Sequence, residues 1–256
     1  MSTKGLLLSA AQSLPGFMRS SVNKLLLRRL QCDYSLSPEE FRNKKILIIG
    51  PARTVEDDLI EIDPTHYDLV VKMNNGLDTP VACKGLDPMR CDILFHCLTK
   101  DARPVTQPKL EKAKVELIVH RTPKRSGFLN TLVAAQNFAS CRVRNIPCTS
   151  YEELSAKLGG ASPSTGLVCA QFFLRSPADE VAIAGFTFST TAYQCGYDDA
   201  VTSDKAAICR IERKGHHAPR LEAGLLADLV EAERKSGKVV VLGRNMILAM
   251  RQHGAI

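Results

Sequence analysis

The chain of 256 residues predicts an α/β protein with a doubly wound, mostly parallel twisted sheet flanked by helices. Three observations predict it. Lys45 to Gly50, KILIIG, is an uninterrupted apolar run of the kind buried on both faces of a parallel sheet. It runs into Gly-Pro-Ala-Arg-Thr and the helical VEDDLIEI, a strand–loop–helix unit of nucleotide-binding type that lacks GxGxxG. Short apolar runs then alternate with helical or loop stretches to the end of the chain, as βαβ units do.

In chain order, residues 1 to 32 carry Lys4, Arg19, Lys24, Arg28 and Arg29 and no acid until Asp33. The longest apolar run there, Gly5 to Ala11, is far short of the roughly 18 residues a spanning helix needs. Three readings fit the segment: a helix lying on an anionic membrane surface, an organelle transit peptide, and a plain helix packed on the domain. The division is therefore a basic N-terminal segment, 1–32, and one α/β domain, 33–256.

After the first strand come Asp68 to Lys72, ending in Met73-Asn74-Asn75-Gly76, then Cys91 to His96 and Val115 to His120. A short strand near Arg144 to Cys148 leads into a helix over Tyr151 to Leu158. Pro163-Ser164-Thr165-Gly166 opens a very apolar helix, with Ser and Thr as capping residues and Gly166 allowing close approach to the backbone. The strands Glu180 to Phe186 and Lys238 to Leu242 complete the sheet. Between them GHHAPRLE precedes an amphipathic helix with Leu221, Leu225, Leu226, Leu229 and Val230 on its apolar side.

Hydrophobic content of 45% and charged content of 24% exclude a disordered chain and an integral membrane protein. A net charge of +7 asks for an anionic partner. Aromatic content of 5%, with no Trp, disfavours stacking on nucleic acid, which leaves a phosphorylated substrate or an anionic membrane. Nine scattered cysteines with no CxxC argue against a zinc ribbon and for a reducing compartment.

Ligands of doubly wound sheets sit at the carboxyl ends of the strands, which here carry Gly50, Asn74, Asn75, His96, His120 and Gly185. His96 and His120 read equally well as histidines satisfied at strand exits. A turn such as Pro163–Gly166 presents unpaired N–H groups, hydroxyls and the positive end of a dipole, an anion site if anything lies before it and a capped core helix otherwise. His217, just before a helix start, is held neutral by the dipole and is a candidate base, or a structural histidine.

Taken together, three segments resemble the eukaryotic-type sialyltransferase superfamily. KILIIGPARTVEDDLIEIDPTHYDLVVKMNNG is similar to its large sialyl motif and PSTGLVCAQFFLRSPADEVAIAGF to its small one. His217 and Glu222 match its very small His-x4-Glu motif. The resemblance implies a single Rossmann-like domain of variant GT-A type and an inverting, metal-independent transfer of sialic acid or a related ulosonic acid such as Kdo. The donor would be a CMP-sugar, a substrate rather than a cofactor, and the acceptor a hydroxyl of a glycan or lipid-linked saccharide. It further implies His217 as general base with Glu222 beside it, Asn74 and Asn75 on the nucleotide, and Ser164, Thr165 and Gly166 along the donor.

The sequence departs from the family in three places. Pro51 replaces the Asn that follows Gly50, so Arg53 or Thr54 is expected to supply that nucleotide contact. The His- and Tyr-rich motif is not evident, and Tyr197, with Tyr193 behind it, is the nearest candidate. No cysteine lies between Cys32 and Cys83, so the family's disulfide between large and small motifs has no partner. With no spanning segment, the expectation is a non-Golgi, bacterial-like, cytoplasmic relative, peripheral at the inner face of a membrane if at all membrane-bound. An oxidoreductase on a nucleotide-binding sheet, and a catalytically silent CMP-binding or membrane-scaffold module, are the rival readings.

Overall fold

The computed structural model describes residues 13–99, 103–121, 127–138, 140–215 and 217–256. Its first strand is β1, Lys45–Ile49, an inner strand whose side chains are buried to both sides: Ile46 and Ile48 toward one face, Leu47 and Ile49 toward the other. The remaining strands are β2 (Leu69–Met73), β3 (Ile93–His96), β4 (Leu117–His120), β5 (Arg142–Asn145), β6 (Glu180–Ala184) and β7 (Val239–Leu242). They lie in the order β5-β4-β3-β2-β1-β6-β7, and each neighbouring pair is parallel. The chain therefore winds outward from β1 to β5, then returns to the opposite side of β1 for β6 and β7. That reversal leaves a crevice at the carboxyl ends of β1 and β6, where ligands of such sheets bind.

The helices are α1 (Gly16–Tyr34), α2 (Val55–Glu61), α3 (Gln107–Lys112), α4 (Gly127–Asn137) and α5 (Cys148–Lys157), followed by α6 (Thr165–Leu174), α7 (Asp204–Lys214), α8 (Pro219–Lys235) and α9 (Arg244–Gln252). On one face α6 lies against the sheet with every residue buried, as its composition predicts, and packs with α5, α8 and α9 over Ile46, Ile48, Val71, Phe95 and Ile183. Phe41, Phe95, Phe172 and Phe173 meet there edge to face or tilted. On the other face α2 covers Leu47, Ile49, Val70 and Ala182, while α3 and α4 cover Leu94, Ile118 and Val143.

Two expectations shift. β5 begins at Arg142 instead of Arg144 and α5 at Cys148 instead of Tyr151. β5 is an edge strand with exposed arginine at its start, so the apolar run that marks the inner strands is missing, and Pro147 supplies the N-cap of α5. The helices α7 and α9 were not anticipated. α7 carries its own signals, Ser203 capping Ala206 N–H and Gly215 ending the helix at φ 61°.

The basic segment falls partly outside the described residues, including Gly5 to Ala11. From Gly16 onward it is α1, which passes through residues 32 and 33 without a break and docks on α4 and the β5 edge. Buried Asn23 accepts a hydrogen bond from Leu129 N–H at 3.2 Å, and Tyr34 meets Phe128 edge to face at 5.9 Å. No described helix is long and apolar enough to cross a membrane.

Two contacts tie the β1 and β6 ends together, and a third fixes the chain after β2. Gly185, at φ 71°, stands so close to Gly50 that a Cβ on Gly50 would lie 2.3 Å from the Gly185 carbonyl oxygen. Asp58 of α2, fully buried, accepts from Gly185 N–H at 2.8 Å and from Asn245 N–H at 2.7 Å. Buried Lys72 of β2 donates to the carbonyls of Thr79 and Pro88, pinning the chain that follows the turn at Asn74–Leu77.

Candidate active site

A cavity of about 490 Å³ opens over the β1–β6 reversal. Its floor is Pro51, Ala52, Gly185 and Phe186. One wall is Met73, Asn74, Asn75 and Cys97, and another is the turn from Ser164 to Leu167. Arg121, Tyr193, Tyr197, Asp198, Arg210, His217 and Glu222 close the rest.

Asn74 takes a positive φ of 47°, which swings its amide out of the strand direction. Its Nδ2 donates to Thr165 Oγ1 at 3.1 Å, and its Oδ1 accepts from Cys97 N–H at 3.3 Å. Asn75 donates to the Tyr197 carbonyl at 2.8 Å. The Met-Asn-Asn end of β2 is thus fixed to the start of α6 on one side and to the Tyr197 loop on the other. Burial and the neighbouring Tyr193 ring, 5.0 Å away between centroids, raise the Tyr197 phenol well above its ordinary range. Tyr197 therefore enters as a neutral hydrogen-bonding group at physiological pH.

Ser164 caps α6, accepting from Leu167 N–H at 3.2 Å, and is itself held by Glu222. Glu222 Oε1 accepts from Ser164 N–H at 2.9 Å and Oε2 from Ser164 Oγ at 2.5 Å. Glu222 is 4% exposed, and burial pushes its carboxyl up to about 7 against the opposing pull of the Ser164 hydrogen bonds. His217 Nδ1 lies 2.7 Å from the Ser162 carbonyl oxygen and 3.7 Å from Glu222 Oε1. A carbonyl only accepts, so Nδ1 carries the proton there, and Nε2 is the basic nitrogen of that tautomer. His217 and Glu222, with four residues between them across the start of α8, thus hold Ser162 and Ser164 on either side of Pro163.

Gly166 has a different neighbour from the one expected. A Cβ there would lie 2.6 Å from the Phe186 ring, so the close approach that requires glycine is made by this chain's own aromatic side chain.

The loop after β1 also needs correcting. Gly50, Arg53 and Thr54 do not line the cavity; Pro51 and Ala52 do. Gly50 is pressed under Gly185 and Phe186. Arg53 is turned away into a two-point ion pair with Asp204 at 3.1 and 2.8 Å, anchoring the start of α7. Thr54 forms the N-cap of α2, its carbonyl accepting from Asn245. His96 and His120 are satisfied at the strand exits: His96 Nδ1 accepts from Leu98 N–H at 2.9 Å, and His120 Nδ1 pairs with Thr131 Oγ1 at 2.8 Å. Burial lowers them to about 4 and about 3, so both stay neutral.

Three charged cavity residues escaped the sequence reading: Arg121, Asp198 and Arg210. Arg121 follows the last residue of β4, a strand-end position that the topology rule covers. Asp198 and Arg210 pair with each other across the loop before α7, and no local signal predicts so distant a pairing. All nine cysteines are free thiols. Among the described residues, no group of three or more His, Cys, Asp or Glu side chains is placed to hold a metal.

No family model and no curated protein matches the sequence. The fold does have solved counterparts. A mammalian sialyltransferase superposes with a TM-score of 0.55 over 95% of this chain and 87% of that one, at 14% identity. A mammalian sialyltransferase in complex with Gal-beta-1-3GalNAc-ortho-nitrophenol gives 0.53 over 94% and 85%, again at 14% identity. The chain has the sialyltransferase type of α/β fold over nearly its whole length.

Proposed function

We propose that the protein is an inverting, metal-independent glycosyltransferase moving sialic acid or a related ulosonic acid from a CMP-sugar to a hydroxyl of a glycan or lipid-linked saccharide. The observation that carries this reading is the convergence of three distant segments on one crevice. Asn74 bonds to Thr165, Glu222 to Ser164, and His217 to the Ser162 carbonyl, so the motifs singled out in the sequence meet around one cavity. In the reaction His217 Nε2 takes the proton of the acceptor hydroxyl as its oxygen bonds to the anomeric carbon. The bond from that carbon to the CMP phosphate oxygen breaks, and its electron pair leaves with CMP. Asn74, Thr165 and the first turn of α6 hold the donor while charge moves onto the departing phosphate. The cavity is built for positioning, which is worth several orders of magnitude in rate.

Release of CMP from CMP-sialic acid and CMP-Kdo, with and without glycan and lipid-linked acceptors, tests the reading directly. Transfer at any of these supports it; NAD(H) binding without CMP binding sinks it in favour of the oxidoreductase. Metal independence is supported by the lack of any Asp-x-Asp in the sequence and by a donor with one phosphate, which needs a bridging divalent cation less than a diphosphate does. EDTA is expected to leave the rate unchanged. A rate that EDTA abolishes and Mg²⁺ or Mn²⁺ restores contradicts it.

A peripheral position on an anionic membrane, at its inner face, is part of the proposal. Docking of α1 through Asn23 leaves an outer face on which Phe17, 77% exposed, Met18 and Leu25 stand among exposed Lys24, Arg28 and Arg29. Apolar side chains ringed by cations suit the headgroup layer, with about 1 kcal/mol per basic residue near an anionic surface. In liposome sedimentation, Leu25→Glu together with Arg28→Glu and Arg29→Glu is expected to abolish pelleting with anionic vesicles. High salt should weaken the wild type as the Debye length shrinks. Equal pelleting of wild type and variant at low salt rejects the tether.

A further inference from the structure

The charged groups lining the cavity are Arg121, Asp198, Arg210, His217 and Glu222. Arg210 is neutralised by Asp198. Both oxygens of Glu222 are taken by Ser164, and with its carboxyl pushed up to about 7 it carries only part of a negative charge near neutrality. Arg121 differs. Its Nη1 donates to the Pro163 carbonyl at 2.8 Å and its guanidinium lies over the Tyr151 ring, 5.9 Å from the centroid. Its Nε is buried without a hydrogen-bond partner among the described residues. Its charge acts through space on Glu222, whose carboxyl it draws down, but both Glu222 oxygens are bonded to Ser164 and neither is hydrogen-bonded to Arg121. A guanidinium is always charged and offers five N–H donors in one plane, so a carbonyl and an aromatic face leave most of its capacity unmet. Sunk in a cavity wall, such a cation is costly until an anion completes it.

Its position indicates which anion. The Pro163 carbonyl that Arg121 holds is adjacent to the Ser162 carbonyl that holds His217. The cation and the base therefore share one two-residue support. In a ulosonic acid the carboxylate is bonded to the anomeric carbon itself, the atom attacked by the oxygen that His217 deprotonates. Wherever the base meets the acceptor hydroxyl, that carboxylate lies within a few ångströms. We propose that Arg121 binds the carboxylate of the transferred sugar acid and so makes the cavity selective for carboxylate-bearing CMP-sugars. The inference rests on the glycosyltransferase reading. A planar fork matched to a planar carboxylate explains why arginine rather than lysine stands there.

Calorimetry on the full chain tests it with two probes: CMP, and a CMP-sialic acid analogue fluorinated beside the anomeric carbon so that it does not react. Arg121→Met is expected to weaken the analogue by roughly 10- to 100-fold, the worth of hydrogen bonds to a charged group, with CMP affinity unchanged. Unchanged CMP affinity also shows that the Pro163 turn has kept its shape. Arg121→Lys keeps the charge and loses the fork, so it should fall between, and it supplies a second variant if the methionine disturbs folding. Equal losses for both probes would assign Arg121 to the phosphate or to the turn and overturn the proposal. Undiminished analogue binding in both variants would overturn it too. A wild type that binds neither probe would remove the glycosyltransferase reading along with it.

Discussion

Replacing His217 with alanine is expected to lower transfer by roughly 10²- to 10⁴-fold while CMP still binds, the loss usual for a general base. Binding should survive because the donor side of the cavity does not depend on the imidazole. Ser164 remains held by both oxygens of Glu222, and Asn74 remains bonded to Thr165. The structural part of His217 is its bond to the Ser162 carbonyl, and the same turn is also held by Arg121 through Pro163. Single-turnover rates at saturating donor, measured beside CMP affinity, separate the roles. A variant that transfers at the wild-type rate removes His217 as the base. Loss of CMP affinity in step with rate would make it a brace for the turn.

Asp58→Ala is expected to have the largest effect on stability. Asp58 is fully buried directly behind the cavity floor, where it accepts from Gly185 N–H and from both Asn245 N–H and Nδ2. Alanine orphans the buried Gly185 N–H and the half-buried Asn245 N–H and leaves a void against Gly243. At one to three kcal/mol per stranded group, the loss is about 2–6 kcal/mol. Urea unfolding should show a lower midpoint with an unchanged slope. Because Gly185 forms part of the cavity floor, CMP affinity should fall as well. Asp58→Asn keeps one acceptor oxygen and should lose less; an alanine variant as stable as the wild type would mean that water replaces the carboxylate.

The inner strands were legible because burial on both faces writes itself as an apolar run, as in KILIIG, and the Ser164 cap because it is local chemistry. The edge strand β5 was blurred by exposed Arg142 and half-buried Arg144, which break that run. Asn74, Asn75, Ser164, Thr165, Gly166, Tyr197, His217 and Glu222 all reach the cavity wall. Arg53 and Thr54 did not, since a basic or hydroxyl residue in a strand–helix loop says nothing of which way it turns. Its direction was set by Asp204, 151 residues away. Asp198 and Arg210 were hidden because the loop between them sets their pairing. The reason for Gly166 was also hidden, because Phe186 approaches it from just beyond the end of β6.

The winding reversal at β1 has a consequence for the order in which the molecule comes into being. Residues 45 to 145 hold five consecutive strands that add one beside the next, so a growing chain can assemble that half from near neighbours. The sixth strand must then return to the first, pairing Lys45 with Glu180. Closure of that loop is entropically expensive and slows folding compared with local pairing. The crevice does not exist before this step, since Gly185 and the turn at Ser164 bound it. Its last brace, Glu222, is made later still. A chain that ends before Glu180 lacks the partner of β1 on that side and the Gly185 floor of the crevice. That edge of β1, apolar and unpaired, is where misassociation between nascent chains would begin.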